Sequence, residues 1–401
     1  MSSFLRSIIS VSALKLVDYI VPIIIMPLVL TRFNLEGYGV YSYVLTISTF
    51  ISFIYDACLN TVGVQQLNKL KGNEIAQQSF VISAIFFKLV FFFVCAIVFI
   101  IISETAGKSD YFCVVIFSFG FGMLNSWYYI ANDNFRFIII VSLVVKILAV
   151  LFVLYYAFEL HMFIFIQAIA SALVGLISLI KIKNDNRLGK ISFRHIKNYL
   201  KNIKHMYIYS GVNALIQPII NSAILASGNA SLLGIYNVVM RFVTVSVTFS
   251  NSIITVLNKC NSEVFYSVGH KTNYVEVKYR SQLLKLLFYS IVVFICVAAI
   301  SYVSIYMTKG EISRFFIFLI FSFSLAVIPS ILNQYLTQLI HMIHSSKNIV
   351  KYVICSNVLS LISIFLFSSL FPYYYIVYAV VLSPIIITIC CLWDLKCKNL
   401  L

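Results

Sequence analysis

Residues 18–44 read DYIVPIIIMPLVLTRFNLEGYGVYSYV, and residues 213–239 read NALIQPIINSAILASGNASLLGIYNVV. Both stretches are apolar, and each contains a proline in its first third, Pro22 in the one and Pro218 in the other. The two stretches therefore predict an internal repeat, in which two halves of the chain begin with equivalent helices.

A second match strengthens the repeat. Each stretch continues with a Gly-x-Tyr sequence at nearly the same spacing from its proline, starting at Gly39 and at Gly234. Proline inside a membrane helix frees a backbone carbonyl and permits bending. Pro22, Pro27 and Pro218 are therefore predicted to bend the first helix of each half, as in transporters built from repeats.

The composition places these helices in lipid. The chain of 401 residues is 61% hydrophobic and 10% charged, with a mean hydropathy of +0.99, whereas soluble domains carry about 25% charged residues. Twelve apolar runs are long enough to cross a bilayer, and they lie near 7–30, 38–59, 79–102, 111–131, 137–158, 160–180, 206–227, 232–258, 282–306, 314–340, 351–371 and 372–393. A soluble or nucleic-acid-binding protein is excluded.

The net charge of +16 is explained by topology. With both termini in the cytoplasm, the termini and inward loops hold 20 of the 29 basic residues, and the outward loops hold four. Loops rich in lysine and arginine stay in the cytoplasm. We therefore predict a multi-pass membrane protein with both termini cytoplasmic, and a first apolar segment that is kept rather than cleaved.

The longest basic stretch divides the chain. Residues 181–205 carry eight basic residues and one acid, a composition suited to anionic lipid headgroups. The predicted fold class is an all-α polytopic membrane protein of about twelve transmembrane helices in two six-helix lobes related by an internal repeat. The predicted domains are a lobe at 1–182, a basic cytoplasmic linker at 183–205 and a lobe at 206–401.

Four cations are predicted near the bilayer midplane: Lys15, Lys88, Lys146 and Arg241. Each costs about 2.5–3.5 kcal/mol at that depth on insertion scales. Asp18 offsets Lys15 on the same helix face, and no acidic partner is evident for the other three. We expect those three to line a wet cavity that accepts an anion, because guanidinium and ammonium groups bind diphosphate oxygens.

Two carboxylates are candidates for ion coupling. The sequence has no phosphate-binding loop and no extramembrane domain for ATP hydrolysis, so an H+ or Na+ gradient, or removal of product, would drive transport without any other cofactor. Asp18 is the first candidate and Asp56, near the inner end of helix 2, is the second. The alternative for Asp18 is a static pair with Lys15. The nine cysteines and six histidines form no metal-binding pattern.

Four stretches together resemble one family. They are LTRFNLEGYGVYSYV at 30–44, YDACLNTVGVQQLNKLKG at 55–72, NSWYYIANDNFRFIIIVSLVVKIL at 125–148 and LLGIYNVVMRF at 232–242. In these places the chain resembles bacterial polysaccharide repeat-unit (O-antigen) flippases, in the multidrug/oligosaccharidyl-lipid/polysaccharide exporter superfamily. The residues that fit the family's motifs are Arg32, Gly37, Gly39, Asp56, Trp127, Tyr128, Tyr129, Gly234, Tyr236 and Arg241. The chain departs from the family's motifs in two places. The segment LNKCNSEVF stands where family members often have a proline after helix 8, and Asn132 or Asp133 replaces the glycine of the turn between helices 4 and 5.

The resemblance implies a function. Such a protein turns a polyprenyl-diphosphate-linked oligosaccharide from the cytoplasmic to the outer face by alternating access, and acts beside membrane lipids and a polysaccharide polymerase. The anionic headgroup would be bound by five basic residues, namely Arg32, Lys15, Lys88, Lys146 and Arg241. The sugar would stack on Trp127, Tyr128 and Tyr129. The alternatives are an ion-coupled multidrug exporter of the same fold and a membrane polysaccharide polymerase. The short outward loops argue against the polymerase, and hence against an enzyme.

Overall fold

The structure, a computed structural model, describes most of the chain. The described residues are 3–56, 58–59, 63–70, 72–106, 111–132, 134–156, 159–186, 189–226, 230–268, 273–309, 313–343, 347–368 and 374–397. In the first helix, side chains are described from Ile23 onward.

Every secondary-structure element in these ranges is a helix, which confirms the all-α prediction. The helices are α1 Ser3–Asp56, α2 Val64–Lys69, α3 Glu74–Ala106, α4 Tyr111–Met123, α5 Ser126–Ala131, α6 Phe135–Tyr156, α7 Leu160–Asp185, α8 Phe193–Ala226, α9 Ala230–Val268, α10 Asn273–Lys309, α11 Arg314–Ser324, α12 Val327–Ile343, α13 Lys347–Ser368 and α14 Tyr374–Cys397. Eight helical stretches among the described residues are long and apolar enough to cross a membrane.

The first helix is two predicted spans joined at a break. Asn34 has φ 58° and ψ −172° between two helical segments, a combination that residues other than glycine rarely adopt. Its side-chain Oδ1 accepts hydrogen bonds from the backbone N–H groups of Glu36 at 2.9 Å and Gly37 at 3.2 Å. The Asn34 side chain therefore caps the following helix. The chain therefore ends one span and begins the next without a loop.

The chain forms two compact units. Unit 1 comprises residues 1–29 and 40–218, and unit 2 comprises residues 30–39 and 219–401. The turns of α1 around Asn34 thus belong to the second unit, although the rest of α1 belongs to the first. The domain boundaries inferred from the sequence stay predictions.

The two glycines of the repeat meet within unit 2. A Cβ on Gly39 would lie 2.6 Å from the carbonyl oxygen of Ala230 and 3.1 Å from the backbone nitrogen of Gly234. A Cβ on Gly234 would overlap the carbonyl oxygen of Leu35. Only glycine lets these two backbones approach so closely, as small residues do at membrane helix contacts. This contact gives a packing reason for both Gly-x-Tyr sequences.

The tyrosines of the repeat pack in the same geometry, each inside its own unit. Tyr41 meets Phe163 of α7 edge to face, with ring centroids 5.1 Å apart and planes at 73°. Tyr236 meets Phe323 of α11 at 5.1 Å and 72°. Edge-to-face pairs of this kind add about 0.5–1.5 kcal/mol beyond the buried area. The repeated tyrosines are therefore core residues.

The basic stretch before the second half is largely helical. Ile196, Tyr199 and Ile203 on the first turns of α8 are buried against unit 1, and the side chains on the opposite face are basic and exposed, namely Arg194, Lys197, Lys201 and Lys204. An amphipathic helix with a basic face is suited to a membrane surface. This part of the predicted linker is packed against the core of unit 1 rather than extended.

Candidate functional site

A lysine is fully buried in unit 1. The Nζ of Lys88, on α3, donates to Asp56 Oδ1 at 2.6 Å and to Asn125 Oδ1 at 2.9 Å. Lys88 is 0% exposed, and Asp56 is 8% exposed. A buried charge is tolerated only when it is paired and hydrogen-bonded, and here the ammonium meets both conditions.

This pair corrects one expectation. The inference that Lys88 lacks an acidic partner is wrong, because Asp56 supplies one. Asp56 is the last residue of α1, in keeping with its predicted place near an end of the second span. Lys88 lies about 21 Å along α3 from Glu74, at 1.5 Å per residue. The substrate-binding role of Lys88 stays a prediction, but in this conformation the ammonium is fully buried and occupied by Asp56 and Asn125, so it is closed to substrate.

The ion pair lies where two helices are broken. Asp56 is the last residue of α1, and Cys58 beyond it has φ 57°. Asn125, between α4 and α5, has φ 50° and ψ 44°, and its side-chain amide donates to the carbonyl of Met123, the last residue of α4, at 2.8 Å. Non-glycine residues with positive φ cluster at functional sites and switch regions. One ammonium therefore joins the ends of two discontinuous helices to a continuous one.

Phenols and a thiol surround the carboxylate of Asp56. Four titratable side chains interact electrostatically with this carboxylate, namely Tyr55, Cys58, Tyr199 and Tyr207. The Tyr55 hydroxyl donates to the Ser118 carbonyl, and the Tyr207 hydroxyl donates to the Ile54 carbonyl at 2.7 Å. Burial, with a smaller contribution from the negative Asp56, raises the pKa of the Tyr199 phenol well above its ordinary value. The site is thus a polar cluster inside an apolar core.

The three aromatic residues predicted to stack on sugar lie in that core. Trp127 and Tyr129 are 0% exposed, and Tyr128 is 6% exposed. Trp127 packs edge to face on Phe80, and the Tyr129 hydroxyl is 3.2 Å from both Ser178 oxygens. Stacking needs an exposed ring face, which this conformation does not offer at Trp127 or Tyr129. The sugar-stacking role stays a prediction.

Tyr128 borders a cavity. The cavity has a volume of about 260 Å³, and its polar lining combines Tyr128 with two carboxylates and four amides, namely Glu74, Asp185, Gln77, Gln78, Asn132 and Asn186. The Asn186 amide donates to the Tyr128 hydroxyl at 3.1 Å, and Lys181 pairs with Asp185 at 2.8 Å. These contacts hold Tyr128 at the cavity wall.

Arg241 lies on a polar stripe in the middle of a membrane-spanning helix. The helix begins at Ala230, so Arg241 is about 16 Å along it. Residues spaced by four and three share one face, and the face carrying Arg241 consists of Asn237, Arg241, Thr244, Thr248 and Asn251. Thr244 is exposed and Arg241 is half-buried. A stripe of this kind is typical of a helix beside an aqueous path.

The stripe has no anionic partner for its arginine in the described part of the chain, where no carboxylate lies within ion-pairing distance of Arg241. The threonine hydroxyls bond to their own helix, Thr244 to the Met240 carbonyl at 2.7 Å and Thr248 to the Thr244 carbonyl at 2.8 Å. The guanidinium has five donors, and so it remains able to bind an external anion. Sequence reasoning had singled out Arg241 but missed the stripe, although its four-and-three spacing was visible.

The part of α1 that is equivalent by the repeat carries a shorter polar stripe without a charged residue. Ser42, Thr46 and Thr49 stand at the repeat positions of Asn237, Arg241 and Thr244, and Thr46 bonds the Ser42 carbonyl at 2.8 Å. The positive charge is therefore confined to the stripe of the second unit.

The remaining predicted site residues are distributed along the helices. Lys146 is half-buried on α6, and Arg32 is exposed just before the break at Asn34. Pro27 is exposed on α1, and Pro218 lies inside α8 where unit 1 ends. Arg32 lies in unit 2 with Arg241, whereas Pro27, Lys146 and Pro218 lie in unit 1. The side chains of Lys15, Asp18 and Pro22 lie outside the described residues. No cluster of metal-binding side chains occurs among the residues that the structure describes.

Known proteins match this architecture rather than this sequence. No protein-family model matches the chain, and no curated protein matches it. Solved structures do match it, over almost its whole length. A eukaryotic MATE transporter, AtDTX14, has a TM-score of 0.61 and 12% identity, covering 98% of this chain and 93% of the other. The Vibrio cholerae MATE transporter VcmN, in its bent form, has a TM-score of 0.51 and 12% identity, covering 98% and 99%.

This chain has the fold of the MATE transporters. Those neighbours have twelve transmembrane helices in two lobes, which confirms the predicted fold class. They belong to the multidrug/oligosaccharidyl-lipid/polysaccharide exporter superfamily that the sequence resembles. The chain is accordingly a multi-pass membrane protein. Its likeness to the O-antigen flippases within that superfamily stays a prediction, because 12% identity carries the fold alone.

Proposed function

We propose that the protein is a flippase that moves a polyprenyl-diphosphate-linked oligosaccharide across the membrane by alternating access. The fold supports a transporter over an enzyme, since the neighbours that share it are transporters. The substrate would cross with its charged and sugar-bearing headgroup in a polar path, while the polyprenyl tail stays in lipid. In a bacterium this transport would run from the cytoplasmic to the outer face of the inner membrane, and a polysaccharide polymerase would use the product.

The observation that supports an anionic substrate is the polar stripe on α9. Its one charge is the guanidinium of Arg241, at mid-span and without a carboxylate nearby in the described residues. A diphosphate supplies oxygens that an arginine binds in a two-pronged geometry. Lys146, Arg32 and Lys15 are proposed to add positive charge along the path. The basic face at the start of α8 is proposed to rest on anionic lipid headgroups.

The second candidate is an ion-coupled multidrug exporter. It is favoured by the neighbours, which are named MATE transporters. An exporter of cationic drugs is expected to place carboxylates and aromatic rings along its path. The described charge on the α9 stripe has the opposite sign, and the carboxylate of Asp56 is already paired with Lys88. The sign of the stripe therefore favours the lipid diphosphate.

We expect Arg241→Ala to slow translocation of a diphosphate-linked oligosaccharide in reconstituted vesicles about 10- to 100-fold. The estimate follows from losing a hydrogen bond to a charged group, worth about 1.5–3 kcal/mol. Arg314→Ala is the matched control, because Arg314 is also an arginine of unit 2 but is exposed at the start of α11. An equal rate for Arg241→Ala and Arg314→Ala would remove the guanidinium from the substrate path.

A further inference from the structure

The buried Lys88–Asp56 pair has no part in the substrate path proposed above. Its position is costly, because taking both charges out of water is repaid only by excellent geometry and further hydrogen bonds. A purely structural contact between these helices could be made by apolar side chains of the same volume with equal or greater stability. The pair also connects the two broken-helix ends rather than two regular helices.

We propose that Asp56 is the proton-coupling site of this transporter, and that proton binding and the Lys88 ion pair exclude each other. The proposal rests on the proposed transport function and deepens it. A proton that binds the Asp56 carboxylate forms an O–H bond and cancels the negative charge. The ammonium of Lys88 keeps its own proton and loses its ion pair. The site then passes from net neutral to one positive charge.

An uncompensated ammonium cannot stay where Lys88 lies. The side chain is fully buried at the depth of a membrane span, where an unpaired cation is strongly unfavourable. The protonated state must therefore admit water around Lys88 or move it. The elements able to yield are the end of α1 at Asp56 and the break at Asn125, since neither is held by a continuous helical hydrogen-bond ladder. Proton binding at Asp56 thus causes a conformational change inside unit 1.

The other groups around the carboxylate do not compete for this role. The titratable neighbours are Tyr55 on α1, Cys58 beyond it, Lys88 and Cys95 on α3, and Tyr199 and Tyr207 on α8. Phenols and thiols carry no charge near neutral pH. Lys88 is thus the cation that faces Asp56 among the described residues. An ammonium already in place also favours a proton over Na+, which needs several oxygen ligands.

The chain carries its own reporter for this movement. It has two tryptophans. Trp127 is fully buried two residues after Asn125, and Trp393 is 71% exposed on α14. In the Trp393→Phe variant, tryptophan fluorescence emission comes from Trp127 alone. We expect acidification of the purified protein without substrate to produce a single step in that emission. The step should be absent when Asp56→Asn or the double change Asp56→Asn with Lys88→Gln is added.

The double variant keeps the test valid if Asp56→Asn alone fails to fold, because it leaves no unpaired charge. Asp185→Asn is the matched control, since Asp185 is also paired with a lysine but at an exposed site, and it should keep the step. The proposal is overturned by a flat Trp127 signal in the parent, by a step that survives Asp56→Asn, or by a step driven by sodium instead of acid.

Transport measurements then test the proton site and the proposed flippase function independently. In vesicles, the double variant should translocate lipid-linked oligosaccharide but lose at least most of its response to an imposed pH gradient. A Trp127 step that depends on Asp56, in a protein that does not translocate this substrate, would retain the proton site and reject the substrate. Translocation with full gradient response in the double variant would reject the proton site alone.

Discussion

Asp56→Ala is expected to lower the free energy of unfolding by about 3–5 kcal/mol, because it leaves the ammonium of Lys88 buried without its counter-ion. The Asn125 carbonyl at 2.9 Å cannot replace a carboxylate at 2.6 Å. The measurement is thermal unfolding of the detergent-purified variant beside the parent protein, with a large drop in melting temperature expected.

Removing both charges should recover most of that loss. Asp56→Leu combined with Lys88→Met replaces the pair by apolar side chains, a change that is often neutral or stabilising in buried sites. Asp185→Ala is the matched single change, and we expect it to cost less than about 1 kcal/mol because the Lys181 pair is exposed. The account fails if Asp56→Ala and Asp185→Ala cost the same, or if the double change is no better than Asp56→Ala.

Gly120→Ala is expected to be the second most damaging of these changes. Gly120 lies where α4 packs on α7, and an added Cβ would overlap the backbone of Ser171. The glycine facing it, Gly175, has its own Cβ position 3.2 Å from the Gly120 Cα. Backbone cannot rotate aside as a side chain can, so the two helices must separate. Overpacking of this kind costs about 1–3 kcal/mol, and the thermal unfolding assay measures it.

Gly211→Ala controls for the loss of a glycine as such. A Cβ at Gly211 would meet only the Phe53 ring, at 3.6 Å, which is ordinary van der Waals contact. Replacing glycine by alanine in a helix otherwise favours the helix by up to about 1 kcal/mol. Equal melting temperatures for Gly120→Ala and Gly211→Ala would show that α4 and α7 do not pack as closely as the structure has them.

Helices were the most predictable part of this protein. Lipid removes every spanning alternative except helices and closed barrels, so long continuous apolar runs were sufficient to predict the all-α class. Interruptions inside spans were less predictable. Nothing in hydropathy indicates that Asn34 caps the second span directly after the first, or that Asn125 divides α4 from α5. Both depend on hydrogen bonds of a single asparagine.

The candidate site was harder to predict because it depends on which residues meet in space. Lys88 and Asp56 are 32 residues apart, so their pairing was hidden. Trp127 was assigned to sugar because of the family resemblance, yet the fold buries it. Arg241 was predictable from depth alone, since a helix rises steadily through the membrane. The stripe that carries it needed only the helical period.

The most direct test of the central claim compares two substrates of the unmodified protein in sealed vesicles. One is a polyprenyl-diphosphate-linked oligosaccharide, scored by the fraction that becomes accessible to a sugar-modifying enzyme on the opposite face. The other is a lipophilic cationic dye, scored by export under an imposed ion gradient. The account predicts translocation of the diphosphate-linked sugar above protein-free vesicles and no export of the dye. Export of the dye without movement of the lipid-linked sugar would contradict it.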